Sequence, residues 1–270
     1  MKNLILRTCT GIAFVALVVA AVLSGDIILL NVFMVFACIG LYEYVKLLDT
    51  KNIRISWWFY VTALVTYFLL AYMRSVKLLD VHVMLIILTL MACMLLLEVF
   101  RRQYESIVTA AYSVLGVVWI AIPMSLVNIL AYDYGKWTLL VMFILLWLSD
   151  TLAYCVGSLL GRHKLCERIS PKKTWEGSIG SALLTMTAAG FMPLIIPQLS
   201  LTVWQTVGMA GVIIVSGTMG DLFESLLKRS LNVKDSGNIL PGHGGILDRF
   251  DSMLAAVPFV LLYLVIINLL

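Results

Sequence analysis

Charged side chains are scarce in this 270-residue chain: Asp, Glu, Lys and Arg make up 13% of it, whereas about 25% is typical of globular domains. Apolar residues make up 62%, and the mean hydropathy is +1.02. A soluble fold could not cover such an apolar surplus with polar surface. The same figures exclude a disordered or collagen-like chain. The composition therefore predicts a protein embedded mostly in lipid.

Cysteine patterns typical of disulfide frameworks or zinc sites are also missing. The chain has five cysteines, an odd number, and no two of them form a CxxC pair. Most lie in apolar runs, so neither a disulfide framework nor a zinc site is indicated. We expect them to be small core residues.

Nine apolar stretches approach the ~20 residues that a transmembrane helix needs. The first follows Lys2 and Arg7, as in a signal peptide, but it lacks a good cleavage site and a second span follows at once. The expected fold class is all-α, a polytopic integral membrane protein with about nine transmembrane helices. The spans are expected at about 8–25, 27–47, 56–73, 81–98, 107–130, 138–160, 177–198, 203–227 and 252–270.

The basic residues predict the orientation of these spans. With a cytoplasmic N-terminus, 16 of the 19 Lys and Arg fall inside, and only Arg74, Lys77 and Lys136 fall outside. This asymmetry is what the positive-inside rule requires. We therefore expect the N-terminus to be cytoplasmic and the C-terminus to lie outside.

The two long polar loops, 162–176 and 228–247, both lie in the second half of the chain and on the predicted cytoplasmic side. Polar chemistry must be located there or on the helix ends that lead into them. We accordingly divide the chain into an N-terminal helical membrane region, 1–130, and a C-terminal membrane region, 131–270, which contains both loops.

Acidic residues inside the spans are costly and usually face a partner or a water-filled cavity. Glu43 and Glu98 lie near predicted cytoplasmic ends, so we expect both to be interfacial anchors that meet water. Acids in the later spans lie on three helices that are expected to converge, and oxygen ligands of this kind suit Mg²⁺. These acids are Asp150 in the sixth span, Asp221 and Glu224 in the eighth, and Asp248 and Asp251 at the start of the ninth.

Two details of these acids matter later. Offsets of 3, 4 and 7 residues place Glu224, Ser225 and Lys228 on the same helix face as Asp221. For Asp248, helix capping is an equally good interpretation, because an acid near a helix N-terminus suits the macrodipole.

The loop 162–176 looks suited to an anion. Ser170-Pro171 predicts a helix start, with Lys172 and Lys173 in its first turn, where a bound phosphate would be favoured. The alternative is that these lysines only obey the positive-inside rule. Gly157 and Gly161 form a GxxxG pair, which favours helix packing over ligand contact.

The stretch from Ser225 to Asp251 combines basic residues, a Gly-rich turn around His243 and clustered acids. Backbone N–H groups at such a turn, together with the charges, suit a metal-bound phosphate ester. His243 alone would more often be an ordinary loop residue than a catalyst.

This stretch resembles the signature of the phosphatidate cytidylyltransferase (CDP-diglyceride synthase) family. A second similar segment runs from Ser149 to Tyr154 and on through Ile169 to Gly177, and the resemblance covers mainly 145–255. Every fixed position of the long signature is met: Ser225, Lys228, Arg229, Lys234, Asp235, Gly237, Leu240, Pro241, His243, Gly244, Gly245, Asp248, Arg249 and Asp251.

The resemblance implies a transfer from CTP to phosphatidate that yields CDP-diacylglycerol and diphosphate with Mg²⁺, a second cation being left open. It also implies a homodimer in a bacterial inner membrane with a cytoplasmic-side site, and no nucleic-acid partner. Region 1–130 would then be a scaffold with possible dimer contacts, and region 131–270 would be the catalytic membrane region. The implied catalytic residues are Asp221, Asp248, Lys228, Arg229 and His243. The implied substrate-binding residues are Lys172, Lys173, Thr174, Glu176, Lys234, Asp235, Gly244, Gly245 and Arg249. The implied metal ligands are Asp221, Asp248, Asp251 and Asp150.

Three other functions stay open on the residues alone. A cytidylyltransferase for another lipid phosphate or a lipid kinase that uses CTP needs similar chemistry. A secondary transporter also uses intramembrane acids, but it predicts acids near the bilayer midplane and an internal repeat, and neither is evident here.

Overall fold

The computed structural model describes residues 2–75, 81–101, 106–239 and 244–269. Within them the apolar stretches form helices, and each of the nine predicted spans coincides with a helical segment. A 3₁₀ turn, Glu98–Phe100, follows α4, and a π turn, Val117–Ala121, joins α5 to α6 within the fifth span. The helices are α1 (Lys2–Ser24), α2 (Asp26–Asp49), α3 (Trp57–Ser75), α4 (Val81–Leu97), α5 (Ser106–Gly116), α6 (Ile122–Tyr134), α7 (Lys136–Leu160), α8 (Trp175–Ile195), α9 (Val203–Ser230) and α10 (Leu247–Leu269).

Length and hydropathy identify seven helical segments among the described residues that can cross a membrane. Two further apolar helices, Thr8–Ser24 and Trp57–Tyr72, are shorter by the same measure. The chain is therefore a polytopic helical membrane protein, and the predicted fold class is confirmed. The orientation of its termini stays a prediction.

A small antiparallel hairpin interrupts the helical pattern, and the prediction of a helix start at Ser170-Pro171 is wrong. Strand β1 (Lys164–Cys166) pairs with β2 (Ser170–Thr174), with Lys164 opposite Thr174. Proline disfavours helical backbone in the residue before it, so Ser170 is extended. The helix begins only at Trp175, which places Lys172 and Lys173 on a strand.

The chain divides into two compact units. Unit 1 comprises Met1–Asp133 and Leu231–Phe250, and unit 2 comprises Tyr134–Ser230 and Asp251–Leu270. The interior of unit 1 contains an aromatic cluster of Phe14, Phe33, Phe36 and Phe250, with ring centroids 5.1–6.0 Å apart. The segment 231–250 is thus packed against α1 and α2 by Phe250.

Glycines allow α7 and α8 to approach closely in unit 2. A Cβ on Gly177 would lie 2.7 Å from the carbonyl oxygen of Ala153 and 3.0 Å from Cα of Gly157. The hydroxyl of Ser181 donates to the carbonyl oxygen of Ser149 at 2.7 Å across the same contact. Gly157 therefore serves helix packing, as its GxxxG spacing predicts.

The cysteines are not core residues, contrary to our expectation. All five are free; Cys9, Cys38, Cys93 and Cys155 are exposed, and Cys166 is half-buried. A small apolar side chain in a membrane protein needs no protein core, because lipid is an equally apolar neighbour.

Candidate active site

Unit 2 contains a cavity of ≈ 280 Å³ with a polar, charged lining. Four elements contribute to it: α7, β2, α8 and α9. Hydroxyls, two lysines and two carboxylates dominate the lining, and aromatic or aliphatic groups complete it. The lining residues are Ser149, Asp150, Ala153, Tyr154, Ser170, Lys172, Lys173, Thr174, Ser178, Ser181, Ile214, Thr218 and Asp221.

Opposite charges meet inside this cavity. The Nζ of Lys173 forms an ion pair with Oδ2 of Asp221, and both side chains are about one quarter exposed. Lys172 is exposed, and Asp150 lines the same cavity from α7. The structure thus brings together four of the predicted site residues: Lys172 and Lys173 from the hairpin, and Asp150 and Asp221 from the helices. A cavity of this charge pattern suits a ligand that carries both phosphate and cation.

The polar face predicted on α9 is confirmed. The hydroxyl of Ser225 donates to Oδ1 of Asp221 at 3.3 Å. One turn further on, Nζ of Lys228 donates to Oε1 of Glu224 at 3.3 Å, and both of these side chains are buried. Asp251 of α10 interacts electrostatically with Glu224, Asp221 and Asp150, so the acids of three helices are neighbours within unit 2.

The hairpin is tied to the start of α8 by two side chains predicted to bind substrate. Thr174 caps the helix, since its Oγ1 accepts the N–H of Gly177 at 3.2 Å. Glu176 accepts the backbone N–H of Arg162 at 3.0 Å and pairs with Nδ1 of His163 at 2.5 Å. Glu176 lines a second, open cavity of ≈ 780 Å³ with Arg162 and Lys164, not the first one. Glu176 therefore joins the residues just before β1 to the start of α8.

In unit 1, Asp248 and Ser236 accept backbone amides around the start of α10. Oδ2 of Asp248 accepts the N–H groups of Ser236 and Gly245, both at 2.9 Å. The amide of Asp248 donates to the hydroxyl of Ser236 at 3.3 Å. Gly244 has φ +84, a conformation that glycine adopts without strain. Asp248 therefore acts as a cap here, as its alternative interpretation predicted, and the Gly245 amide has an acceptor within the chain.

Glu43 and Glu98 do not meet water, and our expectation for them is wrong. Glu43 is 1% exposed and Glu98 is 4% exposed. Glu98 pairs with Arg101, three residues on, at 3.1 Å. Glu43 instead accepts the amides of Ile246 and Leu247, each at 3.0 Å. These hydrogen bonds replace those that water would make, so the carboxylate can be buried. Their donors lie about 200 residues away in sequence.

The remaining predicted site residues are either exposed or outside the described residues. Arg229 at the end of α9 and Lys234, Asp235 and Arg249 of unit 1 are exposed. His243 lies outside the described residues. The predicted metal pair Asp221 and Asp248 has one member in each unit, and its role stays a prediction.

The donor set for a cation consists of oxygen atoms. Within the part of the chain that the structure describes, no three His, Cys, Asp or Glu side chains form a group that would hold a metal ion alone. The cavity nevertheless offers the carboxylates of Asp150 and Asp221 and several hydroxyls. That set fits Mg²⁺ in its usual mode, in which one or two carboxylates and substrate phosphates hold the ion.

Sequence reasoning missed the hydroxyls of the cavity, Ser149, Ser178, Ser181 and Thr218. Serines and threonines are common in membrane helices, so their presence in a span does not by itself indicate a functional site. It also missed Glu43, for which a signal existed: a carboxylate within an apolar helix is costly and implies a partner.

Apolar helices of spanning length and an acid- and lysine-lined cavity define a polytopic membrane protein whose cavity has charges suited to a phosphate-bearing ligand. The chain belongs to the cytidylyltransferase family, whose model matches residues 5–267. The family resemblance seen in the sequence is confirmed.

Curated relatives named phosphatidate cytidylyltransferase are similar over different lengths. The protein from Staphylococcus epidermidis (strain ATCC 12228 / FDA PCI 1200) is 31% identical over 264 residues, which cover 96% of this chain and 98% of the relative. The protein from Staphylococcus haemolyticus is 38% identical over 167 residues, or 62% of this chain. That second match spans 64% of the relative's length, as does the one with Staphylococcus aureus (strain COL).

Proposed function

We propose that this protein is a phosphatidate cytidylyltransferase, which converts CTP and phosphatidate to CDP-diacylglycerol and diphosphate. One observation carries the proposal: a relative of that name aligns with 96% of the chain at 31% identity. The match of the cytidylyltransferase family model over residues 5–267 supports it.

The cavity of unit 2 supports the proposal chemically. Phosphoryl-type transfer depends mostly on positioning and charge neutralisation, so lysines beside a phosphate site are more useful than a covalent nucleophile. Lys172 and Lys173 line this cavity with Asp150 and Asp221. In our proposal Lys173 exchanges its Asp221 partner for a phosphate oxygen of the nucleotide, and Lys172 neutralises a second anionic oxygen.

The bond changes follow from the substrates. A phosphate oxygen of phosphatidate attacks the α-phosphorus of CTP, and the bond from that phosphorus to the α,β-bridging oxygen breaks. Diphosphate leaves with the bond's electron pair. The attacking phosphate is already an anion near neutral pH, so the enzyme must hold two anions together rather than remove a proton.

Mg²⁺ is the proposed cofactor, and it would neutralise charge on the triphosphate when bound. Asp221 and Asp150, which both line the cavity, would hold it together with substrate phosphates. Asp248 and Asp251 were also predicted as ligands. Asp251 contributes a further carboxyl group close to Asp221 and Asp150, and Asp248 already accepts two backbone amides.

The proposed setting is a bacterial inner membrane with the site on the cytoplasmic side, where a soluble nucleotide meets a lipid. We expect a homodimer and no nucleic-acid partner. The bias of basic residues toward the predicted cytoplasmic segments supports this placement.

The test incubates purified protein with radiolabelled CTP, phosphatidic acid and Mg²⁺ in detergent micelles. We expect a labelled CDP-lipid and stoichiometric diphosphate. Folded protein that forms no CDP-lipid would contradict the proposal. Release of CDP from CTP and diacylglycerol would identify a lipid kinase, and product formation only with another lipid phosphate would identify a related cytidylyltransferase.

A further inference from the structure

The carboxylate of Glu43, on α2, forms hydrogen bonds to the segment 231–250, here called the signature loop. Its Oε1 accepts the N–H of Ile246 and its Oε2 accepts the N–H of Leu247, each at 3.0 Å. Ser236 adds a hydroxyl at 3.5 Å from Oε2. A side chain about 200 residues earlier in the sequence thus contacts both described parts of the loop, 231–239 and 244–250.

Together with the bonds of Asp248 and Ser236, these bonds give an acceptor to each of four consecutive amides at the start of α10. A helix leaves its first N–H groups without intrahelical acceptors. Here the amides of residues 245 to 248 donate in turn to Asp248 Oδ2, Glu43 Oε1, Glu43 Oε2 and the Ser236 hydroxyl. Two of the four acceptors belong to Glu43, so the position of the helix start depends on it.

The glycines of the loop fit the same interpretation. A Cβ on Gly237 would lie 2.5 Å from Glu43 Oε1, and a Cβ on Gly245 would lie 2.5 Å from Glu43 Oε2. Real Cβ atoms do not approach so closely, and the carboxylate is fixed by its bonds. The Glu43 carboxylate, joined at Gly245 by the Ser236 hydroxyl, therefore leaves no room for a side chain at these two signature positions.

We propose that Glu43 is a positioning residue: its carboxylate fixes the described parts of the signature loop and thereby the orientation of Asp248 and Arg249. The part of this inference that concerns turnover rests on the proposed cytidylyltransferase activity. The part that concerns the loop does not. Glu43→Gln keeps the size of the side chain but replaces one acceptor oxygen by an amide that donates, so one of the two backbone amides loses its partner.

The control variant is Glu98→Gln. Glu98 is also a buried acid of the N-terminal region, but it pairs with Arg101, three residues on. The change of charge is the same, whereas the partner is local and not part of the signature loop.

The experiment measures two quantities on the full-length protein in micelles. Amide hydrogen exchange is followed in peptides that cover 236–248, and kcat and KM for CTP are measured with phosphatidate. For Glu43→Gln we expect exchange about 10-fold faster or more, the size of one lost charged hydrogen bond, in that peptide and not in peptides of the β1–β2 hairpin. We expect kcat to fall by a similar factor, and Glu98→Gln to match the wild type in both.

Wild-type exchange at 236–248 in Glu43→Gln would overturn the inference, as would faster exchange with an unchanged kcat. If the wild type makes no CDP-lipid, the proposed function fails while the exchange result still decides whether Glu43 holds the loop. Ser236→Ala serves if Glu43→Gln does not fold, since it removes only the hydroxyl that accepts the Asp248 amide. Ser236→Ala should speed exchange in the same peptide. Wild-type exchange there would count against the hydrogen bonds of Ser236 and Glu43 as the cause of protection.

Discussion

Lys173 and Asp221 form an ion pair inside the cavity of unit 2. Lys173 comes from β2 and Asp221 from α9, so their ion pair joins two elements far apart in sequence. Lys173→Ala should lower kcat/KM for CTP about 100-fold, the scale for loss of one group that stabilises developing charge. Steady-state assays with radiolabelled CTP measure this. Lys164→Ala is the matched control, because Lys164 lies on the same hairpin but lines the other cavity; an equal loss in both variants would refute a specific role.

Asp221→Asn tests the other partner. The amide keeps the shape of the carboxylate but removes the charge that pairs with Lys173 and that a cation would need. We expect kcat to fall about 100-fold or more while the melting temperature stays within a few degrees of the wild type. Asp49→Asn, an exposed acid at the end of α2, is the control. Near-normal turnover in Asp221→Asn would remove Asp221 from the site.

The two changes should not be additive. If Lys173 and Asp221 act as one unit, Lys173→Ala combined with Asp221→Asn should cost little more than the worse single variant. A double variant whose loss equals the product of the two single losses would show that the ion pair has no functional coupling. The measurement is kcat/KM for CTP in all four proteins.

At the scale of elements, the close approach of α7 and α8 holds the cavity walls in place. Gly177→Ala would insert a Cβ 2.7 Å from a carbonyl oxygen and 3.0 Å from Cα of Gly157, backbone atoms that cannot yield without a shift of the helix. Overpacking of this kind costs roughly 1–3 kcal/mol. We expect the melting temperature in detergent to fall by several degrees.

Gly211→Ala is the matched control for that change. Gly211 is also within a helix, α9, but a Cβ there meets nothing within 4 Å. Alanine is the better helix former, so its melting temperature should equal or exceed that of the wild type. Equal destabilisation by both substitutions would mean that helix propensity or lipid contact, and not the α7–α8 approach, determines the effect.

The sequence predicts the helices well and the connections poorly, for physical reasons. A span is a local property of about 20 consecutive residues, so hydropathy finds it. The β1–β2 hairpin has strands of three and five residues rich in lysine, and no alternation marks them. The contacts of Glu43 join positions about 200 residues apart, which no local pattern encodes. The cavity residues Asp150 and Asp221 were predictable because charge inside a span is costly wherever it occurs.

At the scale of the whole molecule, the distribution of basic residues predicts the sidedness of the site. With 16 of 19 Lys and Arg on one side, an N-terminus in the cytoplasm and nine spans leave the C-terminus outside. The loop 162–176, which supplies Lys172 and Lys173, would then lie on the cytoplasmic side, where CTP is available.

Alkaline phosphatase, which is active only outside the cytoplasm, tests this when fused after Leu270 of the full chain. We expect high phosphatase activity in whole cells. The control is the same enzyme fused after Asn238, which leaves out α10 and so removes one crossing; its phosphatase should be inactive although the remaining chain is unchanged. High activity in the shorter fusion and none in the longer one would reverse the orientation, placing the Lys172 and Lys173 hairpin outside and separating the proposed site from its nucleotide. Equal activity in both would mean that α10 does not cross the membrane, and the count of nine spans would fail.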